Sequence, residues 1–230
     1  MILSHRHHFI FLKTAKTAGT SVEIALSRIA GPEDIITPIS ANDERLRQEW
    51  GGRGPQNHRL PLQRLTTRQL AKIAFTWRRP GFYNHMPATE VRELIGDDTW
   101  NASFRFCIER NPFDRVISLY WWCHRREPRP SISDFLRSPQ LQLLTKHGIE
   151  LYTDSAGRML VDQVLRYERL EEDLESVRLK LGLPEPLRLP RAKSGHRPEQ
   201  QSWRDVLSTA DRKLIETRFK RELQLFGYEW

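Results

Sequence analysis

Phe9-Ile10-Phe11-Leu12, running into Lys13-Thr14-Ala15-Lys16-Thr17-Ala18-Gly19-Thr20-Ser21, decides how this chain folds. Four consecutive apolar residues fit a strand buried on both faces, as central parallel strands are. The loop that follows is built from small residues with one glycine, two lysines and several hydroxyls. Beyond it Val22, Ala25, Leu26, Ile29 and Ala30 recur at helical spacing until Gly31-Pro32 stops them. Such a strand–loop–helix turn aims backbone N–H groups and a helix start at an anion, and small side chains let the anion come close. The order G-x-x-x-x-G-K-[ST] is absent, because Lys16 precedes Gly19; an ordinary Mg-nucleotide kinase or ATPase is therefore disfavoured.

A second unit repeats the pattern. Phe104-Arg105-Phe106-Cys107-Ile108 reads as a strand and leads to Asn111-Pro112, an N-cap with proline at the first helical position, with Asp114 in the first turn. The helix is expected over 112 to about 126. Arg110 falls at the carboxyl end of the strand, where open α/β sheets place ligands. Ser118, eight residues on, is two helical turns away and faces the same crevice. Residues 161–167 read either as a third strand or as the end of a helix. Leu170, Leu174, Val177 and Leu181 mark a helix ended by Gly182 and Pro184. One last helix is framed by Ser208 with Asp211 and closed by Gly227, with Leu214/Ile215, Phe219, Leu223 and Phe226 as its core stripe. Units of this kind in series predict an α/β fold with a mainly parallel sheet. Residues 32–84 hold breakers around a helical candidate at 66–77 and read as a variable insertion in a single domain spanning 1–230.

The chain has 230 residues, with 37 Lys+Arg against 29 Asp+Glu and a formal charge of +8. Of the basic residues 29 are Arg and 8 are Lys. At 38% hydrophobic, with seven Trp and ten Phe, neither a disordered tail nor a fibre fits. The longest apolar run, Leu119-Tyr120-Trp121-Trp122-Cys123, is far short of a membrane span, and the start lacks the apolar stretch of a secretory signal, so a cytoplasmic protein is expected. Cys107 and Cys123 make no disulfide framework and read as buried thiols. His5-Arg6-His7-His8 reads as an exposed basic N-terminus rather than a metal site, and no other metal-ligand cluster stands out. The charge admits a nucleic-acid binder, an enzyme for an anionic substrate or simply a basic surface. No recognition-helix signature, zinc-finger spacing or RNA-binding aromatic motif supports the first.

Taken together, Lys16-Thr17-Ala18-Gly19-Thr20-Ser21 resembles the 5′-phosphosulfate loop of the nucleotide-dependent sulfotransferases, in their carbohydrate-type branch. Arg110-Asn111-Pro112-Phe113-Asp114-Arg115-Val116-Ile117-Ser118 resembles that family's 3′-phosphate motif, with Arg and Ser at the same separation. Similarity extends through Arg166-Tyr167-Glu168-Arg169-Leu170 to Phe226-Gly227-Tyr228, leaving out roughly 32–80 and 125–155. The resemblance implies a P-loop-kinase-like three-layer fold. It also implies 3′-phosphoadenosine 5′-phosphosulfate (PAPS) as sulfuryl donor, the bisphosphate PAP as product, no metal, and as acceptor a hydroxyl of a saccharide or glycosylated metabolite.

It further implies residue roles. The amides of Thr17, Ala18, Gly19, Thr20 and Ser21 would cradle the 5′-phosphosulfate, and the hydroxyls of Thr20 and Ser21 would add bonds. Lys16 would face the bridging oxygen, and Arg110 and Ser118 would hold the 3′-phosphate. His85, in Tyr83-Asn84-His85-Met86-Pro87 before an expected helix at 88–95 and Trp100, is the candidate general base; His58, His124, His147 and Glu90 are further candidates. Tyr167 reads as an aromatic near the adenine or as a strand-end core residue. Lys193 and Arg197 sit in a basic loop similar to one that closes over the 3′-phosphate in relatives, though its order departs from Arg-Lys-Gly; ordinary solvated charge is the other reading. Trp77, Tyr83, Tyr120, Trp121 and Trp122 are aromatics for stacking on sugar or for core packing. The competing functions are a basic nucleic-acid module and a nucleotide binder without transfer; Lys16, Arg110, Ser118 and His85 together argue for transfer. The sequence sets no oligomeric state.

Overall fold

Phe9–Phe11 forms strand β2, and alternate side chains of this stretch serve two separate cores. Phe9 and Phe11 join Phe106, Ile108, Leu165, Val22 and Leu26 on one face; Ile10 and Leu12 join Cys107, Val91, Trp100 and Leu151 on the other. The computed structural model describes residues 1–60, 80–190 and 202–230. The helical candidate at 66–77, with Trp77, and the loop bearing Lys193 and Arg197 lie outside those residues.

The other strands are β1 (Ile2–Ser4), β3 (Ile35–Ile36), β4 (Phe104–Glu109) and β5 (Gln163–Arg166), in the sheet order β3-β1-β2-β4-β5. β2, β4 and β5 pair in parallel, so the α/β fold has the parallel centre expected of it. The side toward β1 and β3 is antiparallel. His5-Arg6-His7-His8 is exposed as expected, but it forms a hairpin turn and not a free end. Met1 to Ser4 are buried, and only the turn of the β1–β2 hairpin, residues 5–8, reaches solvent. A three-residue apolar stretch carries no usable periodicity, which is why the strand does not show in the sequence. β3 lies within 32–84, so part of that stretch belongs to the sheet.

On one face lie α1 (Gly19–Ser27) and α8 (Leu170–Lys180); on the other lie α3 (Ala88–Ile95), α4 (Asp97–Asn101) and the end of the chain. α2 is Ala41–Glu49. A third apolar cluster sits to the side, built by α5 (Pro112–Cys123), α6 (Ile132–Arg137), α7 (Gln142–Lys146), α9 (Trp203–Val206) and α10 (Thr209–Arg218). The Asn111 cap and Pro112 at the first turn are as read, but α5 ends at Cys123, short of 126. Residues 163–166 settle as a strand. The single last helix is also corrected: α10 stops at Phe219 (ψ 25°) and α11 (Lys220–Phe226) begins anew, closed by left-handed Gly227. Both cysteines are free thiols, Cys107 buried and Cys123 half-buried. Among the described residues no helix is long and apolar enough to cross a membrane.

Behind the loop after β2 lies a buried charge cluster. Glu23, fully buried in α1, accepts from Lys13 Nζ at 2.8 Å and from the Met1 ammonium at 3.1 Å, with Arg47 Nη2 at 3.4 Å. Burial alone would raise this carboxyl, but Lys13, the Met1 ammonium and Arg47 hold it down to about 2. Glu23→Gln would leave Lys13 and the Met1 ammonium without their counter-charge, while Arg47 keeps Glu44. The expected loss is about 3–5 kcal/mol, read as a drop in Tm on the order of 10 °C. A Tm within a degree or so of the parent's would show that the cluster contributes little.

Candidate active site

The loop between β2 and α1 is closed by its own hydroxyls. Thr14 Oγ1 donates to the Ile108 carbonyl of β4, and it lies 2.8 Å from Thr17 Oγ1. Lys16 (φ 65°) and Ala18 (φ 62°) are both left-handed, a conformation that costs a non-glycine residue roughly 1–3 kcal/mol. The surroundings enforce it. Ala15 packs its methyl into the lateral cluster, its amide donates to His147 O at 2.8 Å, and its carbonyl accepts from Arg115 Nε at 2.8 Å. Gly19 cannot be larger, since a Cβ there would stand 2.8 Å from Lys13 Cγ. α1 then starts without a side-chain cap from Ala18.

Arg115 went unread in the sequence as anything more than a motif position. Its side chain is 1% exposed, and it reaches Ala15 O, His147 O (3.1 Å) and Glu109 Oε2 (2.9 Å) together. Tyr152 donates to the other Glu109 oxygen at 3.0 Å. Burial pushes Glu109 up, while Arg115 and Tyr152 pull it back.

One cleft of about 1020 Å³ gathers most of the candidates: Lys16, Thr17, Ala18, Gly19, Thr20, Ser21, His85, Arg110, Ser118 and Tyr167 all line it. Arg110 leaves the end of β4 and forks onto Asp114 (2.8 and 2.5 Å), with Nη1 3.3 Å from Lys16 O. Its guanidinium lies 3.9 Å from the Tyr167 ring centre, so Tyr167 serves as a floor for Arg110. Lys16 Nζ sits 5.5 Å from the Trp122 ring.

His85 comes from the turn before α3, at φ 59°. Its Nδ1 is 2.7 Å from the Lys13 carbonyl. A carbonyl only accepts, so Nδ1 carries the proton and the lone pair is on Nε2. Burial, then the Lys13 charge, lowers the imidazole to about 3, so it stays neutral across the physiological range. His147 stacks on it, centroids 4.9 Å apart and planes at 5°.

His147, a further base candidate, lines the cleft as well; the remaining candidates stand elsewhere. Glu90 accepts from Tyr83 OH at 2.6 Å, His124 lies beside Gln140 at 3.1 Å, and neither they nor His58 line the cleft. Of the aromatics, Trp122 lines it, whereas Tyr120 is buried with its hydroxyl on Pro130 O, and Trp121 packs on the lateral cluster. No group of three or more potential metal ligands occurs among the described residues.

A sequence model described as "Sulfotransferase family" matches residues 1–150, which hold the loop, His85, Arg110, Ser118 and His147. The chain belongs to the sulfotransferase family. An uncharacterized protein of Archaeoglobus fulgidus is 34% identical over 106 residues, covering 44% of this chain and 87% of that relative. No solved structure matches.

The depressed basicity of His85 gives this sulfotransferase-family chain a pH signature. Between 6.5 and about 3 the unfolded chain takes up a proton that folded His85 refuses, so stability falls as pH drops through that window. In His85→Gln this contribution vanishes, and Tm should fall less steeply with acid than in the parent. Parallel Tm–pH curves would mean that the imidazole is not depressed.

Proposed function

We propose that the protein is a PAPS-dependent O-sulfotransferase acting on a hydroxyl of a saccharide or glycosylated metabolite. In this reading residues 1–230 form one domain, with 32–84 as its variable part. The observation that carries the proposal is the convergence of the loop at 16–21, His85, Arg110 and Ser118 on one cleft of about 1020 Å³. That is the upper end of small-molecule sites, large enough for a nucleotide with an acceptor beside it.

The chain's residues fit such a donor. The left-handed loop and the start of α1, which has no side-chain cap, suit a phosphosulfate. When bound, PAPS supplies a sulfuryl group already activated on a phosphate. Thr17 to Ser21 hold that end through their amides, with the Thr20 and Ser21 hydroxyls adding bonds. Lys16 opposes negative charge on the bridging oxygen, an interaction that strengthens in the transition state. Arg110 offers its remaining Nη1 hydrogen to the 3′-phosphate, since its Asp114 fork uses Nε and Nη2 and the other Nη1 hydrogen goes to Lys16 O, and Ser118 adds a hydroxyl. Lys193 and Arg197, outside the described residues, are assigned to the same phosphate in this proposal. His85 Nε2 accepts the proton of the acceptor hydroxyl, help typically worth about 10²–10⁴-fold. Trp122 flanks the acceptor.

By calorimetry, adenosine 3′,5′-bisphosphate should bind roughly 10–100-fold more tightly than AMP, the difference being a charge-assisted phosphate contact. Equal affinities would remove Arg110 and Ser118 from nucleotide recognition. In an acceptor screen with labelled PAPS, Lys16→Ala should lose roughly 10²–10³-fold in transfer with Tm unchanged. Full transfer in that variant would take Lys16 out of the mechanism.

A further inference from the structure

We propose that His147 is the positioning residue for His85: its ring clamps the His85 imidazole in the orientation and tautomer that leave Nε2 open to the cleft. The inference rests on the reading of His85 as the base. Among the described residues the His85 ring makes one hydrogen bond, from Nδ1 to Lys13 O at 2.7 Å. A half-turn about the Cβ–Cγ bond would break that hydrogen bond and swap ring nitrogens for carbons, so one hydrogen bond at the ring edge already opposes it. The His147 ring covers one face of His85 in parallel contact, 4.9 Å between centroids and 5° between planes, and so opposes that turn.

His147 is itself fixed through the main chain. It caps α7 with its amide on Leu143 O, and its carbonyl accepts from Ala15 N and Arg115 Nη2. The next residue must be glycine: a Cβ on Gly148 would fall 2.3 Å from Leu144 O and 2.9 Å from the Arg115 guanidinium. The ring that clamps the base is therefore carried on the same backbone that anchors the loop at Ala15. Loop, clamp and base hold one geometry together.

The charged groups facing the pair are cations. Lys13 and, farther off, the Met1 ammonium act on His85; Lys146 and Arg115 act on His147. With each ring beside the other and these cations around them, both rings favour the neutral form, which a clamped base requires.

Long-range ¹H–¹⁵N correlation spectra of the imidazoles, recorded across the acid range, report tautomer and charge directly. In the parent protein His85 should be a single neutral Nδ1–H form; an Nε2–H or mixed form there would overturn the proposal without any variant. His147→Phe keeps a flat ring and should keep that form. His147→Ala should mix the tautomers and slow PAPS hydrolysis, water serving as acceptor, by roughly 10–100-fold. The Kd for adenosine 3′,5′-bisphosphate should be unchanged, because the carbonyl contacts of His147 survive both substitutions. An unchanged tautomer in His147→Ala overturns the clamp, and so does a loss of bisphosphate affinity that matches the loss of rate. If the parent neither binds the bisphosphate nor hydrolyses PAPS, it is the functional reading that fails, and the spectra still decide whether His147 orients His85.

Discussion

The Arg115 guanidinium joins three segments that are distant in sequence, and the cleft takes its shape from that junction. One planar fork reaches the Ala15 carbonyl in the loop, the His147 carbonyl after α7 and the Glu109 carboxylate at the end of β4. A lysine has one point charge and no fixed fork, so it could not hold three acceptors in these directions. A buried cation is tolerable only when neutralised, and Glu109, steadied by Tyr152, does this. The loop on one wall and the histidine pair on another are thus referenced to the same side chain.

A second buried cluster supports the loop from behind. Glu23 gathers Lys13, Arg47 and the Met1 ammonium, linking the first residue of the loop to α1 and α2. Lys13 is pressed against Gly19 by the same packing. Arg47 also pairs with Glu44 at 2.9 Å, and burial lowers the Met1 ammonium to about 6, so the cluster pins the root of the loop with little net charge of its own.

What the sequence made legible was what neighbouring residues dictate. The strand, the small-residue loop and the helix after it follow from local pattern, as do the Asn111 cap and the placement of Arg110 and Ser118 two turns apart, though α1 ends at Ser27, before the Gly31-Pro32 stop. Arg115 and Glu23 were opaque because a charged residue within a helix reads as solvated unless its distant partners are known. Their partners lie up to a hundred residues away. The stacking of His147 on His85 joins residues that no motif connects. The break at Phe219 was hidden for a different reason: Ile215, Phe219, Leu223 and Phe226 keep helical spacing straight through it, so the apolar stripe passes unbroken over two helices. The strand β3 is two residues long, below what alternation can reveal.

Among the described residues five helices are closed at their starts by a side chain: Ser40, Asn111, Ser131, Ser202 and Ser208 each accept from a backbone amide in the first turn. α1, whose start lines the cleft, is preceded by Ala18, whose side chain can accept nothing. An anion seated at this turn would stand where a serine or asparagine oxygen stands in those five. Under the proposed function the donor's anionic end would become part of the secondary structure, an interchangeable cap that arrives and departs with each cycle while the helix remains.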